Sequence, residues 1–310
     1  MNNLILHHYD LSPYAQKIRA ILAYKGISWG SCETSIVPPR PALALLAGGH
    51  RRIPVLQIGS DVFCDSNLMV PVLERLYPDL PISSGEDVLA VPASQWLEPR
   101  MFTLFSALKF LDPADFMANF QSIEALQFFA QDRARFMAPM VDTSKNADSV
   151  LACVQNVGVY ARWIEARLQR APFLQGDTPA HADFSAWHPF NWIKDQAAHR
   201  RWFGDFSRLW DWVERIASFK GGERSTVTAE AALAVARATE PAFDWNNDPQ
   251  AGDPDAGTTV AVSPLDYGIV PVRGSLSSIG PDHVAIERHT PETGALILHF
   301  PRWGYKVEPA

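Results

Sequence analysis

Arg52-Ile53-Pro54-Val55-Leu56-Gln57-Ile58-Gly59-Ser60-Asp61-Val62-Phe63-Cys64-Asp65-Ser66 is the stretch whose reading decides the fold. Two short apolar runs, residues 53–57 and 61–64, flank a Gly59-Ser60 turn and predict a pair of strands. A proline opening a strand that should lie inside a sheet cannot donate to the ladder. A cis Ile53–Pro54 bond would account for it, turning the Ile53 backbone toward a ligand that pairs like another strand; a trans edge proline is the plainer alternative. Asp65-Ser66 ends a strand and opens a helix. There a hydroxyl and free amides can hold a carboxylate, and an aspartate can accept from an ammonium group. The same dipeptide also makes an ordinary helix cap.

Outward toward the N-terminus, strand and helix signals alternate. A strand is predicted over 4–9 and a helix from Ser12-Pro13 to Lys25, since a hydroxyl cap followed by proline is a helix start and Gly26 is a stop. A second strand falls near 28–35. After the Pro38-Pro39-Arg40-Pro41 break comes a short helix at 42–47, and the last helix runs from Ser66 to Tyr77-Pro78. Pro71 should kink that last helix unless it lies in its first turn. The order is βαβ-α-ββα, an α/β thioredoxin-like domain over 1–82. Outward toward the C-terminus, residues 83–245 carry aromatic and aliphatic residues at helical spacing and predict an all-helical domain. Residues 246–257 have linker composition. Short β-type runs at 258–262, 269–272, 283–287, 295–300 and 305–307 predict a small β-rich extension over 258–310, expected to pack on the helical domain because alone it is marginal.

Composition bounds the function. The 310 residues are 47% hydrophobic and 20% charged, enough apolar material for real cores, and the net charge of −7 with no basic run argues against nucleic acid as a partner. Cys32, Cys64 and Cys153 form no CxxC pair, and the histidines show no ligand spacing, so no metal is expected. The N-terminal residues lack a basic and apolar leader pattern and no apolar run reaches membrane-spanning length, so no membrane association and a cytoplasmic location are expected. The sequence has no phosphate-binding glycine loop, no HExxH and no GxSxG.

Ser12-Pro13-Tyr14, Arg52-Ile53-Pro54-Val55-Leu56 and Asp65-Ser66, in this order on this element string, resemble the N-terminal domain of the glutathione transferase family. The likeness extends to Ala20-Ile21-Leu22-Ala23-Tyr24-Lys25-Gly26-Ile27. It extends also to the segment from Phe173 to Phe184, which resembles the helical-domain motif whose aspartate, here Asp183, staples the core helix. The resemblance covers roughly residues 3–220. It implies glutathione as co-substrate, with Ser12 stabilising its thiolate at a helix N-terminus, Ile53 pairing with the cysteinyl backbone beside a cis Pro54, and Asp65 and Ser66 holding the γ-glutamyl group. Arg52 is implied at the glycyl carboxylate, with Arg40 and His50 as further candidates. A hydrophobic electrophile is expected between the domains, against Leu11, Tyr14, Trp96, Met101 and Phe105, in a homodimer with a detoxifying transferase role. The alternatives are a non-catalytic binding protein on the same fold and a glutathione-dependent lyase or isomerase. Serine at position 12, where thiol-reducing members carry cysteine, argues against deglutathionylation. In the helical motif Ala180 replaces a hydroxyl, which Thr178 is expected to supply.

Overall fold

The structure is a computed structural model that describes residues 4–83, 90–109, 117–118, 120–137, 147–196 and 202–310. Strand β1 (Leu4–His8) leads into helix α1 (Pro13–Tyr24), with Ser12 as N-cap, Pro13 in the first turn and Gly26 in the left-handed conformation just beyond the end. Then follow β2 (Trp29–Glu33), α2 (Pro41–Ala47), β3 (Val55–Ile58), β4 (Asp61–Cys64) and α3 (Ser66–Leu76). Pro71 lies inside α3, beyond the first turn, on its exposed side. Helices α4 (Ala90–Lys109), α5 (Ile123–Phe136), α6 (Ala147–Leu168), α7 (His181–Ile193) and α8 (Ser207–Ala217) make the helical region. No helix among the described residues is long and apolar enough to cross a membrane.

The α7 start shows how the helical region is pinned. Asp183 accepts from its own cap amide, Ala180 N (3.0 Å), from Leu174 N (2.8 Å) and from the Trp212 indole (2.9 Å). The cap position contributes no side-chain bond, and the expected Thr178 substitute makes none among the described residues; the Asp183 amide donates instead to the Ala180 carbonyl (2.9 Å).

The C-terminal part departs most from expectation. Strand β5 (Arg224–Thr226) and helix α9 (Ala229–Arg237) precede β6 (Thr259–Pro264), β7 (Val272–Ile279), β8 (His283–Thr290), β9 (Gly294–Pro301) and β10 (Tyr305–Pro309). Among the described residues all these strands form one ten-stranded sheet in the order β10-β6-β7-β8-β9-β4-β3-β1-β2-β5. The extension therefore does not rest mainly on the helical domain. β9 runs parallel to β4, with Val62 opposite Leu298, and continues the thioredoxin-like sheet from an edge that would otherwise present unpaired backbone groups. At the far edge β5 pairs with β2. One apolar core under α2 and α9 is common to both parts, joining Ile5, Val55 and Val62 to Val260, Leu298 and Phe300. Polar bonds lock the seam. Asp61 accepts from His299 Nε2 (2.8 Å) and from the amides of Ala242 and Phe243 (2.7 and 3.0 Å), and the Trp245 indole donates to His299 Nδ1 (3.0 Å).

Of the β-run expected at 269–272, residues 269–271 are loop and only Val272 is strand, the first residue of β7. Ile269 and Val270 are exposed, and Pro271 separates them from β7, whose buried positions are Val272, Leu276 and Ile279 across a bulge. At Gly48, φ is +64° and a Cβ would come within 2.5 Å of Val272 Cγ1, so a side chain there would be strained where the α2 C-terminus approaches the extension.

Candidate active site

At the N-terminus of α1 the Ser12 hydroxyl accepts from Ala15 N (3.2 Å) and is buried at 2% exposure. Its own proton stays available, and the free amides and positive end of the helix surround it. It lines a cavity of about 30 Å³ together with Tyr9, Tyr14, Arg40, Arg51, Arg52, Ile53, Phe102, Arg133 and Tyr267. Arg40 donates to three backbone carbonyls, those of Ser35, Arg51 and Ile36 (2.7, 3.2 and 2.6 Å), so its charge meets no carboxylate directly. Burial lowers its pKa to about 10. Arg51 and Arg133 share one carboxylate, Asp132 (2.8 and 3.5 Å). This end of the site is electropositive and suits an anion.

A second cavity of about 20 Å³ lies beyond a wall made by Tyr14, Arg52, Ile53 and Tyr267, and it reaches Pro54, Asp65, Ser66, Asn67 and Glu98. The Ile53–Pro54 peptide is cis. Asp65 has φ +82°, a backbone conformation that L side chains rarely adopt and that the surroundings must enforce. Its carboxylate accepts from Asn67 N (3.0 Å), Arg52 Nη1 (2.8 Å) and the Tyr305 hydroxyl (3.0 Å). Arg52 is clamped on its other side by Asp266 and donates to the Tyr267 carbonyl (2.9 Å), with its guanidinium 4.1 Å from the Tyr267 ring centre. Those carboxylates and both aromatic rings hold Arg52 fully charged despite its burial.

Beneath this cavity lies a buried polar group. Lys17 Nζ donates to Glu98 (2.6 Å) and Asn67 (3.4 Å), and His188 Nε2 stands 3.6 Å from Glu98. Burial favours protonating Glu98, but Lys17 and His188 outweigh it and hold the carboxyl well below its usual range. Breaking one partner of such a pair costs about 3–5 kcal/mol, although the pair itself adds little net stability. A lysine on the inward face of α1 is the one sequence sign of this group.

The structure gathers Ser12, Tyr14, Arg52, Ile53, Pro54, Asp65 and Ser66 around the two cavities. It puts Arg52 against Asp65 rather than at a separate end. His50 is buried behind the site, its ring stacked on Tyr305. Leu11 and Trp96 are exposed, at 40% and 63%, and line neither cavity. Met101 and Phe105 belong to the helical core, where Phe105 meets Phe190 edge-on; Phe102, between them, is the α4 ring that faces Ser12. Sequence reading missed Phe102, Arg133, Asp266, Tyr267 and Tyr305. The last three carry no local motif and reach the site only through the sheet extension.

Residues 6–81 match the family described as the glutathione S-transferase N-terminal domain. A GST-like protein from Pseudomonas syringae is similar over 100% of both chains, extension included, at 26% identity and a TM-score of 0.82. A glutathione S-transferase from Methylobacillus flagellatus KT with bound GSH shares the fold, at 16% identity and a TM-score of 0.51 over 70% of this chain and 95% of its own. No curated protein matches the chain. Residues 6–81 thus carry a domain of the glutathione S-transferase N-terminal family, and the whole chain, with its thioredoxin-like domain and helical region, is built like the GST-like protein from Pseudomonas syringae.

Proposed function

We propose that the chain is a glutathione transferase-like enzyme in which Ser12 stabilises the glutathione thiolate for attack on an electrophilic small molecule. The observation that carries this reading is the Ser12 hydroxyl, capping α1 with its proton free in a cavity ringed by arginines. A thiol near such a helix end ionises more easily, its pKa falling from about 8.5 into roughly 3.5–7.5. The Ile53 backbone pairs with the cysteinyl residue, and Asp65 and Ser66 take the γ-glutamyl ammonium and carboxylate. Arg40, with its uncompensated charge, takes the glycyl carboxylate, while Arg52 orients Asp65. The electrophile lies against Tyr14 and Phe102. A cytoplasmic homodimer with a detoxifying role completes the proposal by family likeness.

Calorimetric titration of glutathione into the wild type and Ser12→Ala, with the thiolate followed by ultraviolet absorbance near neutral pH, tests it. The wild type is expected to bind and show the thiolate band, and the variant to bind without the band. A wild type that does not bind glutathione defeats the proposal.

A further inference from the structure

Glutathione is a tripeptide, and ligand sites for molecules of its size span about 300–1,000 Å³. The two cavities here measure about 20 and 30 Å³, room for a water or two, and the wall between them includes Tyr267. Tyr267 is 5% exposed and stands with Tyr14 between the two cavities. Beside it, Asp266 pairs with Arg52 on the side opposite Asp65, so it lies against the end of the site proposed for the γ-glutamyl group. Both residues sit on the 265–271 loop between β6 and β7, framed by Pro264 and Pro271. Among the described residues its backbone hydrogen bonds outside Arg52 are Leu265 N to Gly304 O (2.9 Å) and Gly268 N to Phe136 O (2.8 Å), and the Tyr267 ring packs on Phe102 and Phe136. Its flanks, Leu265 and Ile269, are exposed.

We propose that the 265–271 loop is a built-in plug that occupies the site in competition with glutathione, so that ligand entry requires Asp266 and Tyr267 to withdraw from Arg52. The proposal rests on the reading of the site as a glutathione site. A ligand that binds only the open form has its apparent affinity reduced by the open fraction, so a loop closed nine-tenths of the time raises Kd about tenfold.

The test uses the full chain. Glutathione is titrated into the wild type, Asp266→Asn, which keeps the side-chain size, and Asp266→Asn/Tyr267→Ala. In parallel, Ser12→Cys is made with and without those changes and alkylated with iodoacetamide, residue 12 being followed by mass spectrometry. The double change is expected to tighten glutathione binding and to speed alkylation at residue 12, each by about tenfold, with Asp266→Asn moving both the same way by less. Unchanged alkylation overturns the plug. Faster alkylation with equal or weaker glutathione binding, relative to a wild type that binds, overturns the competition. Faster alkylation with no glutathione binding in any background leaves the plug standing and removes glutathione as the ligand.

Discussion

The two ends of the site are built on opposite principles. Around Ser12, cations outnumber carboxylates, and Arg40 spends its donors on neutral carbonyls. Around Asp65 each charge already has a counter-charge, two of the groups coming from the extension. The first end is poised to receive an anion at little structural risk, whereas the second carries part of the fold's own stability. A residue at the Asp65 end should therefore affect unfolding as much as binding, and one at the Ser12 end mainly binding and chemistry.

The sharpest way to break this comparison is Arg52→Ala. It strands the buried Asp65 and leaves Asp266 unpaired, and should destabilise the protein by about 3–5 kcal/mol in chemical unfolding. A loss below about 1 kcal/mol would put the two ends on the same footing. Next comes acidification. Burial and the positive Arg52 push the His50 pKa down to about 3, against about 6.5 when unfolded. Between these values the unfolded chain binds the extra proton, so stability is present above pH 6.5 and lost as pH falls toward 3, at up to about 1.4 kcal/mol per pH unit. His50→Phe should flatten the fall in unfolding free energy by up to that slope between pH 6 and 4. An unchanged slope would mean that His50 titrates normally. The smallest effect belongs to the Ser12 end, where Ser12→Ala removes only a cap and should cost about 1 kcal/mol of stability. Thermal unfolding that shows a loss near that of Arg52→Ala would dissolve the contrast.

Legibility from sequence followed chain separation. The Ser12-Pro13 start, the Gly26 stop and the Asp65-Ser66 junction are local signals, and the elements they announce are where the text puts them. The α4 face was hard to read because Met101, Phe102, Leu104 and Phe105, interrupted only by Thr103, crowd the turns after Pro99, which leaves the helical phase unmarked. The bonds of Arg52 to Asp266 and of Tyr305 to Asp65 span 214 and 240 positions, and no periodicity within a window encodes them. The parallel pairing of β4 with β9 was hidden for the same reason. Both strands read correctly as strands, but nothing local says which edge receives which.

That pairing bears on the order of events as the chain is made. Asp61 meets His299 across 238 positions, so most of the polypeptide must leave the ribosome before the β4 edge is covered. Non-local strand pairing of this kind is slow, and an open sheet edge is a template for another chain. The thioredoxin-like domain is thus a nascent domain with two open flanks until β5 emerges to cover β2, and with the β4 flank still open until β9 follows as its edge guard.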